Sequence, residues 1–136
     1  CWVKLDDEPA DPLPFINIEE NTVRPGVGQM VYQVKRLGEF FDRAPVIKEA
    51  RVTAELTKPR ELLYVGEQSI EVGTAVVNAE GKFAGIVVTQ LPGSEEMEAA
   101  GGFGSNFSDS YIWAILPPAE VAKATRDAMS LLEEEE

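Results

Sequence analysis

Histidine is absent from the 136 residues, and cysteine occurs once, at Cys1. Without histidine, this chain alone holds no Ser-His-Asp or Cys-His triad, no zincin helix and no facial iron triad. A single cysteine excludes an internal disulfide and a cysteine-rich zinc site. No apolar run approaches the roughly 18 residues that a membrane-spanning helix needs, so we expect no membrane span.

Basic residues are scarce as well. The chain has 12 lysines and arginines against 24 acids, which gives a formal net charge of −12. Phosphate binding needs a basic face, so the charge argues against nucleic acid and anionic membranes as partners. Hydrophobic residues make up 44% of the chain, which supports a packed core, and the length favours one domain.

The first residue allows three interpretations. Cys1 is a candidate for the lipidated first residue of a bacterial lipoprotein, or for an N-terminal nucleophile activated by its own amine. A lipoprotein would carry a polar tether after the cysteine, whereas Trp2 and Val3 begin an apolar strand at once. We therefore expect an ordinary strand residue at a truncated or processed end.

Short strands dominate the pattern after this point. Apolar runs and alternation predict strands over residues 15–18, 29–36, 51–56, 62–65, 75–78, 83–89 and 111–116. In 29–36, Met30, Tyr32 and Val34 lie on one face, opposite Gln33 and Lys35. Residues 38–45 and 92–110 are predicted loops, the second long enough to be functional or mobile.

One helix closes the chain. Pro117-Pro118 suits a first helical turn, and Val121, Thr125, Ala128 and Leu132 fall at the spacing of one apolar stripe. The four glutamates 133–136 oppose the helix dipole, so they are assigned to an acidic tail. Short strands followed by a terminal helix indicate a small antiparallel barrel or sandwich.

Residues 72–87, VGTAVVNAEGKFAGIV, resemble the signature region of trypsin-like peptidases, and most closely the HtrA/DegP-like branch. The nucleophile motif there reads G-N-S-G-G-P-V-V-N. Residues 2–6 and 13–16 resemble the segment after the triad aspartate, and 111–117 resemble the final strand before the closing helix. The three matches occur in the family's order.

The resemblance implies an all-β fold: a small antiparallel β-barrel of the trypsin-like second-lobe type with one C-terminal α-helix. The lobe would span residues 1–132, with the acidic tail at 133–136. The histidine would belong to an upstream barrel lobe, and the aspartate would precede Cys1. The family is commonly periplasmic or secreted, which is the compartment the resemblance implies.

The sequence departs from the family at the residue that would carry out catalysis. Aligning Ala75 with the motif's proline puts Val72 at the nucleophile position and Gly73 and Thr74 over the two glycines. Valine has no atom that a general base could activate. We therefore predict a catalytically inactive lobe that binds a peptide or protein, or that serves as a structural lobe of a larger protein. Its predicted peptide-binding residues are Val72, Gly73, Thr74, Ser105, Asn106, Asp109 and Ser110.

Two alternatives stay open. In the first, a short insertion makes Ser69 the nucleophile of an active, divergent endopeptidase whose histidine and aspartate lie upstream. In the second, the chain is an unrelated β-domain of an envelope lipoprotein anchored at Cys1. No cofactor is expected. The acids of the first loop lack EF-hand spacing, which favours a solvated acidic face over calcium binding; they are Asp6, Asp7, Glu8 and Asp11.

Overall fold

The computed structural model describes residues 11–12, 14–66, 70–91 and 112–134, with side chains up to residue 131. Within that part, the chain forms a mostly antiparallel β structure followed by a C-terminal helix. The elements are β1 Met30–Arg36, β2 Pro45–Arg51, β3 Ala54–Leu56, β4 Leu62–Tyr64, β5 Ala75–Val77, β6 Phe83–Gln90, β7 Ile112–Leu116 and α1 Pro118–Glu134.

The seven strands form one curled sheet in the order β2-β1-β5-β6-β7-β4-β3. Its two outer strands, β2 and β3, are consecutive in the chain and are joined by Val52 and Thr53. The Val52 amide donates to Gln29 O at 2.9 Å, beside β1, whereas the Thr53 amide donates to Tyr64 O on β4 at 2.8 Å. Because one stretch of chain contacts both ends of the sheet, the sheet curls into a half-barrel. The predicted fold class is confirmed.

The inside of the half-barrel holds the main core. Its buried cluster consists of Val31, Ala50, Val52, Leu63, Val65, Ile70, Val76, Ala84, Val87 and Ile115. On β1 the inward face is the one that carries Val31 and Gln33, and Gln33 is fully buried. The largely apolar face of Met30, Tyr32 and Val34 is therefore the outer face, and Val34 is exposed there.

The structure differs from the predicted elements in three places. Residues 15–18 are not a strand, because the Asn17 side chain accepts the amides of Glu19 and Glu20 at 3.0 and 3.2 Å and turns the chain. Phe15 is left exposed. The second difference is the predicted strand 51–56, which is divided, because Arg51 ends β2 and residues 54–56 form β3. The third is β2, Pro45–Arg51, which the charged residues after Ile47 conceal in the sequence. It pairs with β1 along its whole length.

Helix α1 packs by its first turns. Val121 and Ala122 are buried, and the helix contacts β6. The Arg126 guanidinium also ion-pairs with Glu19 at 2.7 Å. The helix continues to Glu134, two residues into the predicted tail. Among the described residues, no helix combines the length and apolar character required to cross a bilayer.

Candidate functional site

The segment that aligns with the nucleophile motif lies between β4 and β5. Its described part begins at Ile70, which is buried, and passes through Val72, which is 43% exposed, to Ala75 at the start of β5. The alternative nucleophile Ser69 lies outside the described residues. The same holds for the predicted pocket residues Ser105, Asn106, Asp109 and Ser110.

Gly73 and Thr74 form a bulge against β6. The Gly73 amide donates to Val87 O at 2.7 Å, and the Val87 amide donates to Thr74 O at 2.9 Å. Two residues of this segment therefore face one residue of β6, and Gly73 has a φ of +82°. This is the pattern of a G1-type bulge, whose first residue is a left-handed glycine. The segment is thereby joined to β6 through its backbone.

On the other side, the Gln33 side chain joins the same segment to β1. Its Oε1 accepts the Glu71 amide at 2.9 Å, and its Nε2 donates to Glu71 O at 3.0 Å. The side-chain amide thus makes the pair of hydrogen bonds that a neighbouring strand would make. Nε2 also donates to the Thr74 hydroxyl, which in turn donates to Glu71 O at 2.6 Å.

Two lysines hold the Glu71 carboxylate above this network. Lys35 and Lys48 lie on the inward face of β1 and β2, and both ammonium groups contact Glu71 Oε1, Lys48 at 3.0 Å. Hydrogen bonds from Lys35 and then Lys48 lower the pKa of Glu71, against a smaller opposing effect of desolvation. Glu71 is therefore an ionised, paired group at neutral pH, unlike a general base poised near pH 7.

The ion pairs of Glu71 predict how the stability of the fold depends on pH. A carboxyl whose pKa is lowered on folding adds stability that is fully present above its unfolded pKa, about 4.3. That stability is lost as the pH falls through the folded pKa. We expect the wild type to be more stable than Glu71→Gln at pH 7, and the difference to shrink as the pH falls below about 4.3. Urea unfolding of both proteins across this range measures it.

The control for that experiment is Glu80→Gln. Glu80 pairs with Lys82 at 3.1 Å on an exposed turn, where an ion pair contributes little. We expect this variant to follow the wild type at every pH. A stability gap between wild type and Glu71→Gln that stays constant down to pH 3 would show that the lysines do not stabilise the ionised carboxylate.

This arrangement fixes a loop, and its polar side chains at Glu71 and Thr74 are engaged in holding that loop. Val72 has no nucleophilic atom, and the Glu71 and Gly73 amides donate to Gln33 and Val87. In residues 11–12, 14–66, 70–91 and 112–134, no three potential ligands lie together in a way that would hold a metal ion.

Gln33, Lys35 and Lys48 were not singled out by the sequence as parts of a site. The available signal was a glutamine within an alternating strand, on the face opposite the apolar residues. Its partner Glu71 is 38 residues away, so local pattern could not identify it. No family model, curated protein or solved structure matches this chain.

Proposed function

We propose that this chain is a catalytically inactive trypsin-like lobe whose role is to bind a peptide or a protein. The observation that carries the proposal is the state of the segment aligned with the nucleophile motif. By the resemblance, Val72 stands at the position of the family's serine. Gln33 and Val87 hydrogen-bond to the backbone of this segment at Glu71, Gly73 and Thr74. A lobe of this kind keeps an ordered surface for binding but lacks the nucleophile that catalysis needs.

The competing role, with Ser69 as a nucleophile, has less support. With Ser69 as the nucleophile, Ile70 and Glu71 would stand at the positions of the motif's two glycines. Ile70 is buried in the core, and the Glu71 amide is donated to Gln33 Oε1 at 2.9 Å. Neither residue has the conformational freedom that glycine gives the motif.

Two exposed side chains favour binding at this segment. Val72 and Ala75 are exposed at the two ends of the bulge, and the backbone between them is held from both sides. Binding to a surface that is already ordered avoids the entropy cost of fixing a loop. Because the Glu71 and Gly73 amides are engaged, a bound peptide would contact side chains here more than it would extend the sheet.

The resemblance extends this proposal to the protein's setting. An upstream barrel lobe would complete the architecture, and the compartment would be the periplasm or the exterior. In that setting the lobe would bind its partner as part of a larger protein.

Selection of displayed random peptides on the immobilised chain tests the binding role. We expect enriched peptides to bind the wild type and to lose at least about tenfold in affinity for Val72→Asp, since a desolvated carboxylate opposes an apolar contact. Val27→Asp is the matched control, because Val27 is an exposed valine in a different turn. Failure to enrich any peptide, or equal binding to Val72→Asp, would contradict the proposed binding segment.

A further inference from the structure

The hairpin of β1 and β2 carries a large exposed apolar surface. Val34 and Ile47 are directly opposite each other in the register of the two strands, and both are more than half exposed on the outer face. At the tip, Phe40 is 91% exposed and packs edge-to-face on Phe41, with ring centroids 5.1 Å apart. We call Val34, Phe40, Phe41 and Ile47 the hairpin patch. Contiguous exposed apolar side chains of this size mark interaction surfaces.

The outward charges of the hairpin balance. Lys35 and Lys48 lie on the inward face, where both contact Glu71. The other charged residues of 33–51 are three arginines and three acids: Arg36, Arg43, Arg51, Glu39, Asp42 and Glu49. This surface is therefore close to neutral in a chain whose formal net charge is −12. Two copies of the chain repel each other less here than over their acidic surfaces.

Opposite charges lie on the two sides of the apolar pair of Val34 and Ile47. Side chains two residues apart share one face of a strand, so the register places Arg36 next to Val34, toward the tip of the hairpin. Glu49 lies next to Ile47 in the other direction, and both charged side chains are exposed. Arg36 Nη1 donates to Arg43 O at 3.2 Å, and a guanidinium has further N–H donors for a second acceptor. The hairpin patch thus has a positive and a negative side.

We propose that two copies of this chain form a dimer through their hairpin patches, with the hairpins antiparallel and a two-fold axis at Val34 and Ile47. Such an axis sets Arg36 of each copy near Glu49 of the other, so the same ion pair forms twice. With both tips at the same end, the two arginines would lie together and so would the two glutamates. The surface is therefore complementary to itself in one orientation. The inference goes beyond the proposed function and does not depend on it.

The hairpin also has the composition of a homodimer interface. Such interfaces are apolar at the centre, and their charged residues lie at the rim. Val34 and Ile47 are the centre of this contact, and Arg36 and Glu49 belong to its rim. A stable interface takes roughly 800 Å² from each partner. A two-fold axis uses the same surface on both copies, so the outer face of one hairpin meets an apolar surface of equal size.

Analytical ultracentrifugation at physiological salt tests the dimer, because the −12 charges of two copies are then screened beyond about 8 Å. We expect the wild type to dimerise with rising concentration. Val34→Asp and Ile47→Asp are each expected to weaken the dimer at least about tenfold, since each puts two carboxylates into the apolar centre. Both residues are exposed, so the fold should tolerate the change. Phe15→Asp, at an exposed phenylalanine elsewhere, should dimerise like the wild type.

Charge reversal tests the two-fold arrangement. Arg36→Glu and Glu49→Arg each turn both ion pairs into like-charge contacts, and each is expected to weaken the dimer at least about fivefold. An equimolar mixture of the two variants should form heterodimers, because every facing pair in it is again one glutamate and one arginine. Three results would overturn the proposal. They are a wild type that stays monomeric to about 1 mM, a dimer that Val34→Asp leaves intact, and a mixture that associates no better than either variant alone.

Discussion

Replacing Gly85 with alanine is expected to lower the free energy of unfolding by about 3–5 kcal/mol. Gly85 lies in β6 with a φ of +135°, next to a bulge in which Val76 pairs with Gly85 and Val77 pairs with Phe83. An added Cβ would lie 2.3 Å from Leu116 O and 2.5 Å from Ile115 Cγ2. The first of these is backbone of the neighbouring strand β7, so relief of the clash requires the sheet itself to move.

Substitutions at two other glycines separate the effect of the steric clash from the effect of the left-handed backbone conformation. Gly81 has a φ of +76° with open space around its Cα, and Gly26 has open space and no left-handed φ. We expect Gly81→Ala to cost about 1–2 kcal/mol and Gly26→Ala to stay within about 0.5 kcal/mol of the wild type. Urea unfolding measures all three. If Gly85→Ala lowered the free energy of unfolding no more than Gly81→Ala does, that result would contradict the close approach of β6 and β7 at Gly85.

Gln33→Met is expected to lower the free energy of unfolding by about 2–4 kcal/mol. Methionine has nearly the same shape, so the substitution leaves little cavity and mainly removes hydrogen bonds. It takes away the partner of the Glu71 amide, one of the two partners of the Glu71 carbonyl and one partner of the Thr74 hydroxyl. A buried backbone group without a partner is costly because it has also lost water.

Gln90→Met is the matched control for this variant. The side-chain amide of Gln90 donates an exposed hydrogen bond to Leu91 O at 2.8 Å. Loss of this bond should change the free energy of unfolding by less than about 0.5 kcal/mol. Hydrogen exchange adds a local measurement. In Gln33→Met, protection of the Glu71 amide should fall while that of Val87, bonded to Thr74 O, falls less. Unchanged protection at Glu71 would contradict the role given to Gln33.

The elements that the sequence predicted well are those with local causes. The β5–β6 hairpin follows from two apolar runs around a turn, where the Asn78 side chain accepts the amides of Glu80 and Lys82 at 3.0 and 2.9 Å. The helix follows from its prolines and from three- and four-residue spacing. Each of these signals lies within a few residues of the element that it specifies.

The elements that the sequence missed depend on distant partners. β2 is a strand because β1 pairs with it along its whole length, although three of its seven residues are charged. Residues 15–18 are apolar enough for a strand, but Asn17 turns the chain after them. In each case an interaction outside the apolar pattern decided the conformation.

The same distinction applies to the candidate site. Val72, Gly73 and Thr74 were predicted together because they are contiguous. Gln33 and Lys48 come from two other strands and meet this segment because β1 is the neighbour of β5 in the sheet and β2 is the neighbour of β1. A polar residue on the inward face of a strand departs from the apolar pattern, and its role becomes clear only when its hydrogen-bond partner is known.

Loss of the catalytic centre is the central claim, and labelling with a fluorophosphonate probe tests it most directly. The longest natural form of the protein would be treated with the probe and the modified residue mapped by mass spectrometry. An active serine peptidase serves as the positive control, and Ser69→Ala as the matched variant. We expect no labelled serine in either form of this protein. A label on Ser69 of the wild type that disappears in Ser69→Ala would contradict the claim and identify a divergent peptidase.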